Sequence, residues 1–331
     1  MLQNKKENKA YILGIDVGNF NTKSEHTILP SGFNVSSSKP MMAEEYLLYD
    51  GTYYVPREDR FNYVVDKTNN DKHFMLALMS MAKEIYERAK VVVGSRPEAI
   101  QEQINRYSLI NLGIGVPPAH HNALAAKYVS YFKERFGDEI QFEYCVDGHK
   151  YEFDFSVPVV RVFPQDYSVV VEYADKSEIL KKKFNRFYAI DIGGKTVDFV
   201  VIANGKPDKY RSFENGILTM YDEIKNRVLS DYTIRLENSN CEDILMGKPT
   251  VVKENIITLV KDMANDWTSD ILSKLRAEGL DFETNPTIFI GGGAKLLKPF
   301  IESSNIVTNY EFVGDVNANA VSYAKLLRGI Q

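Results

Sequence analysis

Two aspartates, each closing an apolar run and each followed two residues later by a glycine, carry the chemistry legible in this chain. They are Asp16 in ILGIDVGNFNTK and Asp191 in YAIDIGGKTVDFV. A carboxylate at a strand end can hold a hydrated divalent cation, and Gly18 or Gly193 lets the returning backbone approach a phosphate without a side chain in the way. Seven positions after each aspartate stands another polar anchor, Lys23 in the first copy and Asp198 in the second. One D-x-G alone reads as a plain hairpin turn. Its recurrence in the second half, with a third glycine cluster in TIFIGGGAKLL, predicts a duplicated fold that closes on one ligand.

Magnesium-bound triphosphate needs backbone N–H groups facing the phosphates, carboxylates that hold the hydrated metal, and a group that orients the attacking water. The chain can supply all three. Asp16 and Asp191 would approach the metal through its water shell, and Lys23 can neutralise a β-phosphate oxygen. The expected cradle is Gly18, Asn19, Phe20 and Asn21 in the first turn and Gly193, Gly194, Lys195 and Thr196 in the second, with Gly216 ahead of the next helix. Lys195 is either a γ-phosphate contact or a solvated turn lysine. Gly291, Gly292, Gly293 and Ala294, between a strand and a helix, could sit against a purine nucleoside and its α-phosphate.

Gln165, after Pro164, does not titrate and cannot act as a general base. It can position a water and share the metal's water shell, or it is simply a polar strand end. No G-x-x-x-x-G-K-[ST] occurs and no G-x-G-x-x-G follows the first strand, which excludes a Walker loop and disfavours a Rossmann site. His120 and His121 read as helix-start residues, with no third metal ligand near them in sequence.

These residues need rigid elements behind them. Residues 10–17 (AYILGIDV) read as a buried strand, Asn19 to Thr22 as the turn, and the segment from Lys23 as the return strand. TYYVP and FNYVVDK read as strands of a small insertion. From His73 to Ala89, Phe74, Met75, Leu78, Met81, Ala82, Ile85 and Ala89 share one helical face opposite Lys83, Glu84, Glu87 and Arg88, so the methionines are core packing. SLINLGIGVP (108–117) is a third buried strand, followed by a helix carrying Leu124, Tyr128, Phe132 and Phe136. QFEYCV and YEFDFSV flank Asp147-Gly148 as a hairpin, and VVRVFPQ (159–165) reads as a separate strand.

Charged KSEILKKKFN separates the halves. RFYAIDIGG and VDFVVIA then pair around the second turn, and helical patterns run over 217–229 and 252–276, the latter with Trp267 on its core face. VNANAVSYAKLLRG is a closing helix. The expected fold is α/β, with a first domain at 1–180 bearing a small insertion at about 30–100, a second at 181–315, and a C-terminal helix at 316–331 returning to the first.

Composition sets bounds on partners. At 331 residues, two domains sharing a cleft are the default. A 44% hydrophobic, 26% charged chain is that of an ordinary globular protein, and a net charge of -5 argues against direct binding along nucleic-acid phosphates. Cys145 and Cys241 lack metal or redox spacing and read as buried thiols. With no signal-peptide core and no apolar run long enough to span a bilayer, the expectation is a cytoplasmic protein without membrane contact.

Taken together, the motifs resemble the superfamily of actins, sugar kinases and heat-shock chaperones. DVGNFNTK is similar to its first phosphate loop, DIGGKTVD to its second and FIGGGAKLL to its adenosine motif, in matching order and spacing. Within that superfamily, Tyr53 through Ala82, with PREDRFNYVVDKTNNDKHFMLALMSMA, resembles the ParM/StbA-type bacterial actins that segregate plasmids. The resemblance runs over residues 10–330. It implies an actin-like (ribonuclease H-like) duplicated fold with Asp16 and Asp191 as magnesium-site aspartates, Lys23 as the phosphate lysine and Gly291 to Gly293 as nucleoside-binding glycines. Gln165 falls at the water-orienting position, where several ParM-type proteins carry Glu and eukaryotic actins Gln. Lys195 departs from the small residue most members carry.

The implied activity is hydrolysis of ATP or GTP with Mg2+, coupled to self-assembly into filaments that come apart after hydrolysis. The implied partner is a DNA-binding adaptor of ParR type on a plasmid centromere. A small-molecule kinase of the same superfamily is the alternative; it wants a carboxylate to take the acceptor's hydroxyl proton, a role Gln165 cannot fill but the adjacent Asp166 could. A chaperone is disfavoured because no peptide-binding domain follows the closing helix, and a membrane-tethered actin because neither terminus offers an amphipathic anchor.

Overall fold

A computed structural model describes residues 10–62, 64, 66–173, 176–182 and 184–330. The chain forms two compact units, one comprising Met1–Glu172 with Asn317–Gln331 and the other Tyr173–Val316.

In the first unit, β1 (Tyr11–Val17) runs into β2 (Asn21–Lys23), β3 (Ile28–Pro30) and β4 (Phe33–Ser36), followed by β5 (Tyr46–Tyr49) and β6 (Thr52–Pro56). Helices α1 (Lys72–Val93) and α2 (Pro97–Ile104) precede β7 (Leu109–Val116), α3 (Pro118–Phe136), β8 (Ile140–Val146), β9 (His149–Pro164) and α4 (Tyr167–Tyr173). Among the described residues, one nine-stranded sheet has the order β3-β2-β1-β7-β9-β8-β5-β6-β4. Its centre, β1-β7-β9, is parallel. Five consecutive buried residues in β1 and seven in β7 fit strands covered on both faces.

The strand β9 corrects one expectation. YEFDFSV and VVRVFP belong to a single 16-residue strand that pairs antiparallel with β8 and parallel with β7, and Gln165 lies in the turn just past its end. Pro158 lies where the β7–β9 register shifts, between the Leu109–Ser156 and Asn111–Val159 pairs. A bulge needs no ladder N–H there, so proline does not end the strand. A second expectation also fails. FNYVVDK is not a strand at its described positions, and Lys67–Asn69 is a 3₁₀ turn capped by the Asp66 carboxylate. Positions 63 and 65 of that segment lie outside the described residues. Asp147 and Gly148, both at positive φ, turn β8 into β9 as the Asp-Gly pair predicts.

The closing helix α10 (Ala318–Ile330) packs on β1 and β7. Glycine makes that approach possible: a Cβ at Gly14 would penetrate the Ala320 carbonyl and sit 2.9 Å from the Ala324 nitrogen. Helix α1 buries His73 through Ala82 almost without interruption, more than the single apolar face expected.

The second unit contains α5 (Glu178–Lys181), β10 (Arg186–Ile192), β11 (Val197–Ala203), β12 (Lys206–Phe213), α6 (Ile217–Tyr232), α7 (Asn238–Leu245), α8 (Glu254–Ala277), β13 (Thr287–Ile290), α9 (Gly291–Ser303) and β14 (Tyr310–Phe312). Its five strands follow the order β12-β11-β10-β13-β14. As in the first unit, an aspartate-bearing strand forms an antiparallel hairpin on one side and a parallel pair on the other. Trp267, 5% exposed, belongs to this unit's core with Ile224, Val260 and Leu297. Cys145 and Cys241 are free and buried.

Candidate functional site

The first turn is built from its carbonyls outward. Strand β1 folds back so that Asp16 pairs with Lys23 and Val17 with Thr22, which puts the return strand two residues earlier than expected and leaves Gly18–Phe20 as the turn. Lys67 Nζ donates to the Val17 carbonyl at 2.5 Å and Ser31 Oγ to that of Gly18 at 2.7 Å. The Phe20 carbonyl accepts from the Ser31 amide and from Arg60 Nε, each at 3.1 Å. Arg60 also reaches Asn21 Oδ1 at 3.3 Å and stacks its guanidinium 4.2 Å from the centre of the Phe20 ring.

A trans peptide holds its N–H opposite its C=O. Tying down the Val17 and Gly18 carbonyls therefore directs the N–H groups of Gly18 and Asn19 away from these donors, the orientation a phosphate cradle requires.

Asp16 is 6% exposed. Gln165 Nε2 donates to its Oδ1 at 2.8 Å. The Gln165 backbone is itself fixed, its N–H on the Val116 carbonyl at 2.9 Å, so strands β1, β7 and β9 together set this pair. Because an ionised carboxylate only accepts, the contact orients the amide and turns Oε1 toward other donors, water among them. Lys23 is half-buried beside Asp16 on β2.

The second turn uses the same device with different parts. Helix α6 donates its leading N–H groups back to the turn: Gly216 to the Lys195 carbonyl at 3.0 Å, Ile217 to Gly193 at 3.1 Å and Leu218 to Gly194 at 2.9 Å. The N–H groups of Gly194, Lys195 and Thr196 consequently face the other way. A Cβ at Gly216 would lie 2.6 Å from Gly194 and Lys195 backbone atoms, so this buried glycine holds the turn against the helix. Lys195 is half-buried, and loss of solvent pulls its ammonium below the usual lysine range.

Asp191 pairs across the sheet with Asp198 on β11 and with Ile290 on β13. Burial pushes the Asp198 carboxyl up to about 6, and the charge of Asp191 adds to the shift; hydrogen bonds with Ser212 and Thr196 oppose it. Thr196 Oγ1 donates to Asp198 at 2.7 Å.

The glycine cluster differs from expectation: Gly291, Gly292 and Gly293 are not a linker but the first turn of α9 itself. Gly291 has φ +91°, and a Cβ there would collide with the Asp191 carboxylate and stand 2.9 Å from the Ile192 carbonyl. A Cβ at Gly293 would come closer still, 2.5 Å from that carbonyl. These contacts seat the α9 N-terminus on the end of β10 beside Asp191. Ile290, the N-cap residue, offers no side-chain cap to the leading N–H groups of α9. Gly292 is exposed, whereas Gly293 and Ala294 are buried, Ala294 within the core of this unit.

Within the first unit the structure brings Asp16, Lys23, Gln165 and Gly18–Asn21 together. Within the second it brings together Asp191, Gly193–Thr196, Gly216 and the α9 glycines. Sequence reasoning missed Ser31, Arg60 and Lys67, which hold the first turn from a segment with no periodicity to betray it. His121 contacts the Val162 carbonyl at 3.1 Å, consistent with a structural role at the start of α3. Among the described residues no group of three or more His, Cys, Asp or Glu side chains could cage a metal. A hydrated Mg2+ fits what is present, since it is usually held by one or two carboxylates and the substrate's phosphates.

Residues 189–303 match the family model of the archaeal actin homologue MreB-like C-terminal domain. No curated protein sequence matches the chain. Among solved structures, the archaeal actin homologue Ta0583 in complex with ADP superposes with a TM-score of 0.69 at 16% identity, covering 96% of this chain and 99% of that one. A ParM from a 15-stranded Clostridium botulinum filament gives 0.66 at 16% identity, covering 97% and 99%. Bacillus thuringiensis ParM with ATP gives 0.63 at 16% identity, covering 97% and 100%. The chain has the actin fold over nearly its whole length.

Proposed function

We propose that this protein is an actin-like nucleotidase that assembles into filaments with bound nucleoside triphosphate and disassembles after hydrolysis. The observation that carries the reading is the pair of strand-end aspartates, each beside a turn whose carbonyls are tied down and whose N–H groups face outward. In the actin fold this is phosphate-handling equipment present twice. Ta0583 with ADP and ParM with ATP are solved with nucleotide, which supports the same ligand class here.

Asp16 in the first unit and Asp191 in the second would each offer a carboxylate to hydrated Mg2+, and the metal would neutralise phosphate charge. The N–H groups of Gly18, Asn19, Gly194, Lys195 and Thr196 donate to phosphate oxygens, Lys23 and Lys195 contribute positive charge, and Gly291–Gly293 leave room for the nucleoside beside the start of α9. Gln165, oriented by Asp16, positions the attacking water through Oε1; lacking a base, hydrolysis is slow.

The kinase alternative needs an accessible carboxylate, and Asp166, at 2% exposure with φ +60°, is badly placed to take a proton from an acceptor. Filament-forming relatives of the same fold support self-assembly, and plasmid partition through a DNA-bound adaptor is the cellular role that fits best. No helix among the described residues is long and apolar enough to cross a membrane.

The test is electron microscopy and light scattering of the purified protein with ATP, GTP or a slowly hydrolysed analogue, alongside phosphate release. Filaments with triphosphate and their loss as phosphate appears are expected. Acceptor-dependent ADP formation without assembly would replace this reading with the kinase.

A further inference from the structure

The side chains that tie down the first turn also line a pocket of roughly 330 Å³ whose walls carry Arg57, Arg60, Lys67 and Lys72, with no carboxylate among its lining residues. Arg60 is paired with the exposed Glu58. Arg57 makes hydrogen bonds to the Asp59 carbonyl and Asn34, and Lys72 lies over the Phe61 ring; neither has a carboxylate partner among the described residues. Lys72 opens α1, whose first turn contains no acidic residue; the N-cap carboxylate, Asp71, is engaged by Arg135. A cation in that first turn opposes the positive end of the helix dipole, and a further anion would offset it.

His73 supplies an independent observation. It is 3% exposed, it lines this pocket, and neither of its ring nitrogens has a hydrogen-bond partner among the described residues. Tyr128, Tyr131 and Phe132 surround the ring, and burial, aided by the charge of Lys67, holds it neutral well below the ordinary histidine range. A neutral imidazole still has one N–H to donate, and leaving a buried donor unmet is destabilising.

We propose that this pocket binds a phosphate-class oxyanion, held by Arg57, Lys72 and the His73 N–H. The pocket adjoins the nucleotide cradle, because Val17, Gly18 and Asn19 of the first turn also line it. Arg60, Lys67 and Ser31 hold that turn by its carbonyls, and Arg57, Lys72 and His73 lie outside the residues assigned to the cradle. Because Arg60 and Lys67 touch both pocket and turn, anion occupancy reports directly on the element that carries Asp16. The oxyanion has two possible sources, free phosphate compounds in solution or the phosphate released by hydrolysis. Only the second rests on the nucleotidase reading.

The experiment titrates inorganic phosphate and pyrophosphate into the full chain without nucleotide, by calorimetry and thermal shift at constant ionic strength with chloride as the reference. Saturable binding is expected, weakened at least fivefold in Lys72→Gln and in Arg57→Gln while the unliganded melting temperatures stay near wild type. His73→Phe removes the donor; where it folds, it weakens binding comparably. No saturable phosphate or pyrophosphate binding, or equal affinity in Lys72→Gln and Arg57→Gln, overturns the proposal whatever the nucleotide does.

A second arm separates the sources by timing phosphate release against cleavage during ATP hydrolysis. A lag shortened by Lys72→Gln identifies the released phosphate as occupant. A lag unchanged by that substitution, with anion binding retained, assigns the pocket to free phosphate compounds.

Discussion

Replacing Gly291 by alanine tests how the glycine cluster positions Asp191. Alanine at φ +91° costs about 1–3 kcal/mol of backbone strain. Its Cβ would also stand 2.9 Å from the Ile192 carbonyl, where ordinary contact begins near 3.4 Å, and would press harder still on the Asp191 carboxylate. Overpacking of that kind adds about 1–3 kcal/mol, and the better helix propensity of alanine returns about 1 kcal/mol. The net loss is about 3 kcal/mol, which for a unit of this size lowers its melting temperature by about 10 °C.

Relief by moving Asp191 rather than unfolding would surface as lost chemistry, since a shift near 1 Å at a reacting centre can cost about a hundredfold. Gly292→Ala is the internal control for stability, because no protein atom lies within 4 Å of a Cβ there. Calorimetric melting of both variants and phosphate release by Gly291→Ala decide the matter. Wild-type stability and turnover in Gly291→Ala, or an equal loss of melting temperature in Gly292→Ala, would refute the argument.

Three further outcomes follow from the same geometry. Gln165→Ala should leave nucleotide-dependent assembly intact while slowing phosphate release about tenfold or more; equal single-turnover rates would remove Gln165 from the reaction. Asp198, raised from 3.8 to about 6, binds its proton more tightly folded than unfolded, so the stability it adds is full below about pH 3.8 and lost as pH climbs through 6. Denaturant titrations between pH 4 and 7 should show that decline in wild type and a flatter profile in Asp198→Asn. Gly14→Ala should force α10 off β1 and cost about 1–3 kcal/mol, read as a lower denaturation midpoint with an unchanged slope.

The core of the fold is legible in the chain because its central strands are buried on both sides. LINLGIGV and FYAIDI are nearly unbroken apolar runs, and the turn glycines and prolines that bound them mark their ends. What escapes detection is governed by pairing rather than composition. Pro158 looks like a strand terminator until β7 is beside it and the register shift absorbs the missing N–H. FNYVVDK has strand-like residues, yet no strand is present at its described positions, and Lys67 instead turns inward to hold the Val17 carbonyl. β-Propensity there yields to a tertiary hydrogen bond.

The same division explains the site. Asp16, Gly18, Asp191 and Gly193 announce themselves because their function depends on local backbone form, and local form leaves a local motif. Arg60 and Ser31 leave none, since what they do is supply donors to carbonyls of residues far from them in sequence, a task many polar residues could perform from many positions. The glycines of α9 sit between these cases: their type signals close approach, but only the geometry identifies what approaches. At Gly291 it is the Asp191 carboxylate, and at Gly293 the Ile192 carbonyl. A cluster that reads from sequence as a nucleoside pocket is therefore also the fitting that positions Asp191, the aspartate proposed to face the metal. Substitutions there should disturb both roles at once, whereas substitutions at exposed Gly292 should touch neither the aspartate nor the strand.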